Sequence, residues 1–190
     1  MSNKKILAIF QKTNAFLKGH FGLSSGLHSE GYLQCALILQ YPEYAKQLCM
    51  ELAKKFKKAR PTVVAAPAIG GIIVSYEAAK ALGCRSVFTE RENDVMTLRR
   101  GFNIDKSDRA LIVEDVITTG GSTKEVIDVV KQKGAKVIGV GAIVDRSCGD
   151  VDFGVEFKSL IKLNIDTFTS EDCPLCKKGI PITKPGSRKI

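Results

Sequence analysis

Between residues 62 and 146, short apolar runs alternate with amphipathic stretches, and that alternation restricts the fold more than any other feature of the chain. "TVVAA" reads as a buried strand, "GIIVSYEAAKAL" as a helix stopped by Gly83, and "RSVFTER" as a second strand. After an irregular stretch, "ALIVED" reads as a strand, "TKEVIDVVKQK" as a helix stopped by Gly134, and "KVIGVGAIVDR" as another strand. Strands separated by helices of this length pair in parallel through right-handed crossovers. The expected fold class is α/β, a doubly wound and mainly parallel sheet. Upstream, Ile6, Leu7, Phe10, Ala15 and Leu17 recur at roughly helical spacing, and "GHFGLSSGLHSEGYLQ" reads as loop and hairpin. Pro42 opens a helix over "PEYAKQLCMELAKKFKKA", with Ala45, Cys49, Leu52 and Phe56 on one side.

A chain of 190 residues suits one domain with a substantial core. We expect that core over residues 42–168, with residues 1–41 and the tail 169–190 forming a small cap over the strand ends, where such sheets bind ligands. With 44% hydrophobic and 26% charged residues, disordered and fibrous classes are set aside. The net charge of +9 fits an anionic small molecule, nucleic acid or a membrane surface equally well, and much of it lies in clusters such as Lys54–Lys55 and Lys57–Lys58 that read as solvated faces. Tracts mixing aromatics with Lys and Arg, as single-strand binders use, are missing. The apolar start "KKILAIF" is cut short by Gln11 and Lys12, and no segment reaches the length of a membrane span, so a cytoplasmic protein without membrane or nucleic-acid partners is expected.

The segment "ALIVEDVITTGGST" carries the chemistry. Glu114 and Asp115 end an apolar strand, and a turn of hydroxyls and glycines leads into the next helix. Gly lets backbone N–H groups converge on a phosphate and the helix adds its positive end, yet two acids would repel a phosphate alone. A ligand with a phosphate at one end and a sugar diol beside it resolves the conflict. The Walker and dinucleotide glycine motifs are excluded: no G-x-x-x-x-G-K-[ST] occurs, and "GVGAIV" lacks the third Gly and lies inside a strand. Ser122 and Glu125 also fit an S-x-x-E capping box, which would account for Ser122 but not for the acid pair or for Thr118, Thr119, Gly120 and Gly121 in succession.

"LIVEDVITTGGST" resembles the phosphoribosyl-pyrophosphate signature of the type I phosphoribosyltransferases: a hydrophobic run, two acids, the hydrophobics Val116 and Ile117, then Thr and a Gly-rich turn. The resemblance implies that Glu114 and Asp115 bind the ribose 2′- and 3′-hydroxyls while Thr118, Thr119, Gly120, Gly121 and Ser122 wrap the 5′-phosphate. Displacing pyrophosphate from ribose C1 builds oxocarbenium-like charge, which a fixed carboxylate such as Asp115 stabilises.

"GHFGLSSGLHSEGYLQ" is similar to the N-terminal loop of the orotate phosphoribosyltransferases, and "AIVDRSCGD" resembles the place where that family keeps an arginine for the base. Orotate has a carboxylate that uracil and the purines lack, and a planar guanidinium is its natural partner. Arg146, with Thr118 nearby, is therefore the expected orotate ligand. Three features depart from the best-known orotate enzymes: Ser24 where they carry a lysine, Ile69 and Gly70 in "PAIGG" where they carry an aromatic–lysine pair, and the short "ERENDVMTLRRGFNIDKSDR" in place of their long mobile loop. The whole chain, including "LRRGF" and "CPLCKKGIPITKPGSR", is similar to a shorter, thermophile-type branch of that family. Pyrophosphate leaves highly charged, so Mg²⁺ and basic side chains must neutralise it, and Arg91, Arg99 and Arg100 are the candidates, the last two as catalytic residues. In this family the loop often reaches the neighbouring subunit's site, which implies a homodimer. The expected reaction joins orotate to phosphoribosyl pyrophosphate in pyrimidine biosynthesis. A purine-type relative, which would not need Arg146, and a non-catalytic nucleic-acid-binding regulator, which would bind in a salt-dependent way, are the alternatives.

Cys35, Cys49 and Cys84 read as reduced core thiols. Cys173 and Cys176 form one C-x-x-C, half of a zinc site that Cys148 or a second subunit would have to complete. A structural role is preferred over metal binding, His20 and His28 are read as structural, and no residue is assigned to a resident metal.

Overall fold

A computed structural model of the chain describes residues 1–23, 25–147, 149 and 151–184. Six strands form its main sheet: β3 (Val63–Pro67), β4 (Arg85–Glu92), β5 (Val95–Leu98), β6 (Arg109–Ile117), β7 (Lys136–Asp145) and β8 (Phe157–Lys162). Their order is β5-β4-β3-β6-β7-β8, parallel throughout except for the antiparallel β4–β5 hairpin. The chain leaves β3 in one direction along the sheet, to β4, and returns to its other side with β6. That reversal is the topological switch point, where the carboxyl ends of β3 and β6 diverge and leave a crevice.

Both faces of this sheet are buried, as an all-parallel core requires. On one face Val64, Ala66, Leu111 and Val113 meet Leu48, Leu52, Val74 and Ala78 of α3 (Pro42–Lys54) and α4 (Gly70–Leu82). On the other, Val63, Ala65, Ala110 and Ile112 meet Val126, Ile127 and Val130 of α5 (Gly121–Gln132). Successive residues of β3 and β6 thus serve opposite layers, the period of two that a strand imposes. α1 (Asn3–Lys12) and α2 (Ala36–Leu39) add Ile6, Phe10 and Ile38 to the first layer. The glycines of "GVG" in β7 also have a packing reason: a Cβ on Gly139 would lie 2.8 Å from the Phe56 ring.

A second, antiparallel sheet of order β1-β2-β9 forms the cap, from β1 (Phe16–Gly22), β2 (His28–Leu33) and β9 (Thr167–Phe168), followed by the short α6 (Pro174–Lys177). The tail lies against it: the Thr183 N–H donates to the His20 carbonyl at 2.8 Å and the Gly22 N–H to the Thr183 carbonyl at 2.9 Å.

Several boundaries differ from the sequence reading. The first helix ends at Lys12, because Asn14 takes a positive φ of 50° and Leu17 already belongs to β1. The helix opened by Pro42 stops at Lys54, and Lys57–Ala59 form a separate 3₁₀ turn. The edge strand β8, whose residues are mostly half-buried, carried no continuous apolar run to announce it.

Candidate active site

At the switch point, Pro67, Ala68, Glu114, Val116 and Ile117 join the turn 118–123 around a cleft of about 220 Å³. β3 delivers its turn, whose Ala68–Ile69 peptide is cis, and β6 delivers the acid pair and the Thr/Gly segment. Of the sequence-predicted residues 114–122, Glu114 and 116–122 line this cleft, on the side of the sheet where parallel strands end, while Asp115 turns toward Gly70.

The capping-box reading of Ser122 does not hold. α5 begins at Gly121, with Gly120 as its N-cap at φ 75°, so Ser122 lies inside the first turn, and the Glu125 carboxylate accepts from Arg91 Nη2 at 2.5 Å. Starting two residues earlier than the periodicity implied, the helix brings Gly121 and Ser122 to its positive end at the cleft. Gly120 is doubly constrained: its φ disfavours a side chain, and a Cβ would stand 2.7 Å from Val151 Cγ1.

Asp115 sits under the β3 turn. A Cβ on Gly70 would fall 2.7 Å from Asp115 Oδ2, so the carboxylate occupies the space that a side chain there would take. The Val116 N–H donates to Asp115 Oδ1 at 2.8 Å. Loss of hydration raises the Asp115 pKa, and hydrogen bonds with Glu114 and the Val116 amide offset this only in part. The residue as a whole is half-buried, and it is the carboxyl, set beneath the β3 turn, that loses its hydration.

Arg146 follows β7 directly, half-buried, with its N–H donating to the Ile117 carbonyl at 2.8 Å. Two residues of the cap stand close by, and sequence reasoning gave neither a site role. Burial and then the Asp115 charge raise the Tyr32 pKa while Arg146 lowers it. Cys35 is raised well above the ordinary thiol range by burial, then by Asp115 and Glu114, again opposed by Arg146. Tyr32 and Cys35 thus share the electrostatic neighbourhood of the acid pair and Arg146. The sole sequence signal was the aromatic in "GYLQ", within the loop already matched to the orotate family.

The loop arginines are engaged elsewhere. Arg91 also donates to the Asp94 carbonyl at 2.7 Å, Arg99 Nη2 lies 3.2 Å from Glu92, and Arg100 grips both oxygens of Glu90 at 2.7 and 3.0 Å. All three belong to the β4–β5 hairpin or its exit, whose tight turn has Asn93 and Asp94 both at positive φ. The hairpin is rooted beside the cleft, since the Ala68 N–H donates to the Thr89 carbonyl at 2.7 Å. Ser24, the position aligned with the family's loop lysine, and Cys148 lie outside the described residues.

The chain and its fold have counterparts among known proteins. A family model of the phosphoribosyl transferase domain matches residues 38–171, and the chain belongs to that family. Orotate phosphoribosyltransferases of Caldanaerobacter subterraneus subsp. tengcongensis and Pelotomaculum thermopropionicum are 60% and 57% identical to it over 190 residues, 100% of each chain. That of Thermotoga maritima is 55% identical over 185 residues, covering 97% of this chain and 99% of its own. The crystal structure of orotate phosphoribosyltransferase from Aeropyrum pernix, 26% identical, matches with a TM-score of 0.71 over 83% of this chain and 93% of that one. Within the phosphoribosyltransferases, the chain belongs to the orotate phosphoribosyltransferase family. No helix among the described residues is long and apolar enough to cross a membrane.

Proposed function

We propose that this protein transfers the 5-phosphoribosyl group of phosphoribosyl pyrophosphate to orotate, giving orotidine 5′-phosphate and pyrophosphate, a step of pyrimidine biosynthesis. The observation that carries the reading is Glu114 at the carboxyl end of β6 sharing one cleft with a glycine-capped helix start, with Asp115 beside it under Gly70. Glu114 and Asp115 accept from the ribose hydroxyls, and the turn from Thr118 to Ser122 donates backbone N–H groups to the 5′-phosphate. As the bond from C1 to pyrophosphate lengthens, positive charge on the sugar meets carboxylates already held in place, so little reorganisation is needed. Orotate N1 forms the new bond to C1 and gives up its proton to solvent or to the departing pyrophosphate, while the electron pair of the broken C1–O bond leaves with pyrophosphate. Arg146 orients orotate through its carboxylate, with Tyr32 beside it.

The carboxylate and phosphate oxygens of such a complex are hard donors that suit Mg²⁺, which would enter bound to pyrophosphate and offset its charge. The lost hydration that raises Asp115 favours a cation or hydroxyl donor arriving beside it. Arg91, Arg99 and Arg100 are held by exposed ion pairs that solvent screens, so exchanging Glu90, Glu92 or Glu125 for pyrophosphate costs little. A second copy of the chain is the expected partner. Ile69 and Tyr76, 80% and 62% exposed on the turn and outer face of α4, supply apolar surface for it. Sedimentation should show a dimer that Tyr76→Arg weakens, and a wild-type monomer at assay concentration would contradict this.

A transfer assay over orotate, uracil, adenine and hypoxanthine with Mg²⁺ tests the substrate. Turnover with orotate exceeding the others by more than about 100-fold is expected, since bases lacking the carboxylate forgo the charge-assisted hydrogen bonds to Arg146. Turnover of a purine base without orotate turnover would overturn the assignment.

A further inference from the structure

The four residues His20, His28, Cys173 and Cys176 meet at one point, their ligand atoms all within 4.8 Å of one another. All four lie outside the matched span 38–171, two in the N-terminal hairpin and two in the tail. His28 pairs opposite Gly22 in the β1–β2 ladder, and His20 sits in the register shift of β1 between Lys18 and Phe21, where its ring meets that of His28 edge-on with centroids 4.9 Å apart. The C-x-x-C turn at α6 closes over them.

We propose that this cluster is a structural zinc-class site, a Cys₂His₂ centre that ties the tail to the cap. His20 Nε2 lies 3.0 Å from His28 Nδ1, 3.5 Å from Cys173 Sγ and 3.7 Å from Cys176 Sγ, and Cys176 Sγ lies 3.2 Å from His28 Nδ1. A tetrahedral ion with metal–nitrogen bonds of about 2.0 Å and metal–sulfur bonds of about 2.3 Å separates its ligands by roughly 3.3–3.8 Å, so the set needs only small adjustments to close on an ion. The tautomer is already selected. His20 Nδ1 is 2.7 Å from the Ile180 carbonyl, which can only accept, so Nδ1 carries the hydrogen and Nε2 presents its lone pair to the thiols. Protons alone would leave two imidazoles held by weak S–H donors, whereas two thiolates and two neutral imidazoles make a divalent ion electrically neutral. Cys173 is fully buried and His20 only 4% exposed, which shields the centre from solvent.

The site also has mechanical work to do. A three-stranded sheet with one two-residue strand is marginal by itself, and a metal crosslink supplies what its small core lacks. The same β2 strand carries Tyr32 to the neighbourhood of Asp115 and Arg146, so the ion would fix that part of the cleft without touching substrate.

Elemental analysis of protein purified under reducing conditions without chelator should find about one zinc per chain, falling at least about tenfold in Cys173→Ser and Cys176→Ser. Titrating wild-type apoprotein with Co²⁺ covers the case in which those variants fail to fold. It should give a thiolate-to-cobalt charge-transfer band with strong visible bands of a tetrahedral ion, saturating near one equivalent and lost in His20→Ala. Absence of zinc together with only a weak octahedral cobalt spectrum would overturn the proposal, as would a Cys173–Cys176 disulfide in freshly lysed cells or undiminished metal in His20→Ala. None of these readouts depends on phosphoribosyl transfer.

Discussion

Asp115 is held ready at a cost to stability. Its carboxyl gains more from the ligand than from the empty fold, because burial raises its pKa above the ordinary aspartate value. A carboxyl with a raised folded-state pKa supports the fold fully below its unfolded pKa, and that support is lost as pH rises through the folded value. At neutral pH, Asp115→Asn keeps the acceptor for the Val116 N–H and removes the crowded charge, so its thermal midpoint should rise while kcat/KM falls about 10²–10³-fold. An equal or lower midpoint in a thermal melt would argue against the electrostatic reading. Since the sugar hydroxyls need the ionised acid, affinity for phosphoribosyl pyrophosphate should decline as pH falls through the raised Asp115 value, and a flat profile there would count against it. Gly70→Ala forces a Cβ against the same carboxylate and should cost about 100-fold in rate with the fold intact by circular dichroism. Arg146→Ala should raise the KM for orotate by about 10- to 100-fold and leave that for phosphoribosyl pyrophosphate nearly unchanged. Cys49, pushed up to about 12 by burial, should resist alkylation until the chain unfolds.

At the scale of elements, most of the α/β core was legible because its signals are local. β3, β6 and β7 are continuous apolar runs, and Gly83 and Gly134 stop helices where positive φ is needed. The cleft that joins Glu114 to the glycine turn was legible because one segment carries both. Signals that depend on distant partners were not. The start of α5 was misplaced because Ser122 and Glu125 mimic a cap, while Glu125 instead pairs with Arg91 from the hairpin. Tyr32 gained its place only when β2 came near Asp115 and Arg146, and His20 and His28 gained theirs when the tail came back across more than a hundred residues. At the base of β6, Asp108 is desolvated, yet its hydrogen bonds from the Asp105 N–H and Thr62 hydroxyl and its pairing with Arg85 lower its pKa overall. That stability is present above the unfolded pKa and lost as pH falls through the folded one. Asp108→Asn should therefore destabilise the chain by about 1–3 kcal/mol in urea unfolding at neutral pH, with a smaller difference in acid.

For the whole molecule, the division of labour follows the topology. The parallel sheet fixes the acid pair and cradle at the switch point, the β4–β5 hairpin brings cations to the same edge, and the cap places Tyr32 beside Arg146. The charge of +9 finds a use here without nucleic acid, because both proposed substrates are anions. Calorimetric titration of phosphoribosyl pyrophosphate with Mg²⁺ into wild-type protein and the Glu114→Gln/Asp115→Asn double variant tests the central claim most directly. One site per chain in the wild type, weakened at least about tenfold in the variant, is the predicted result. Equal affinity in the two proteins, or no binding to the wild type, would contradict it.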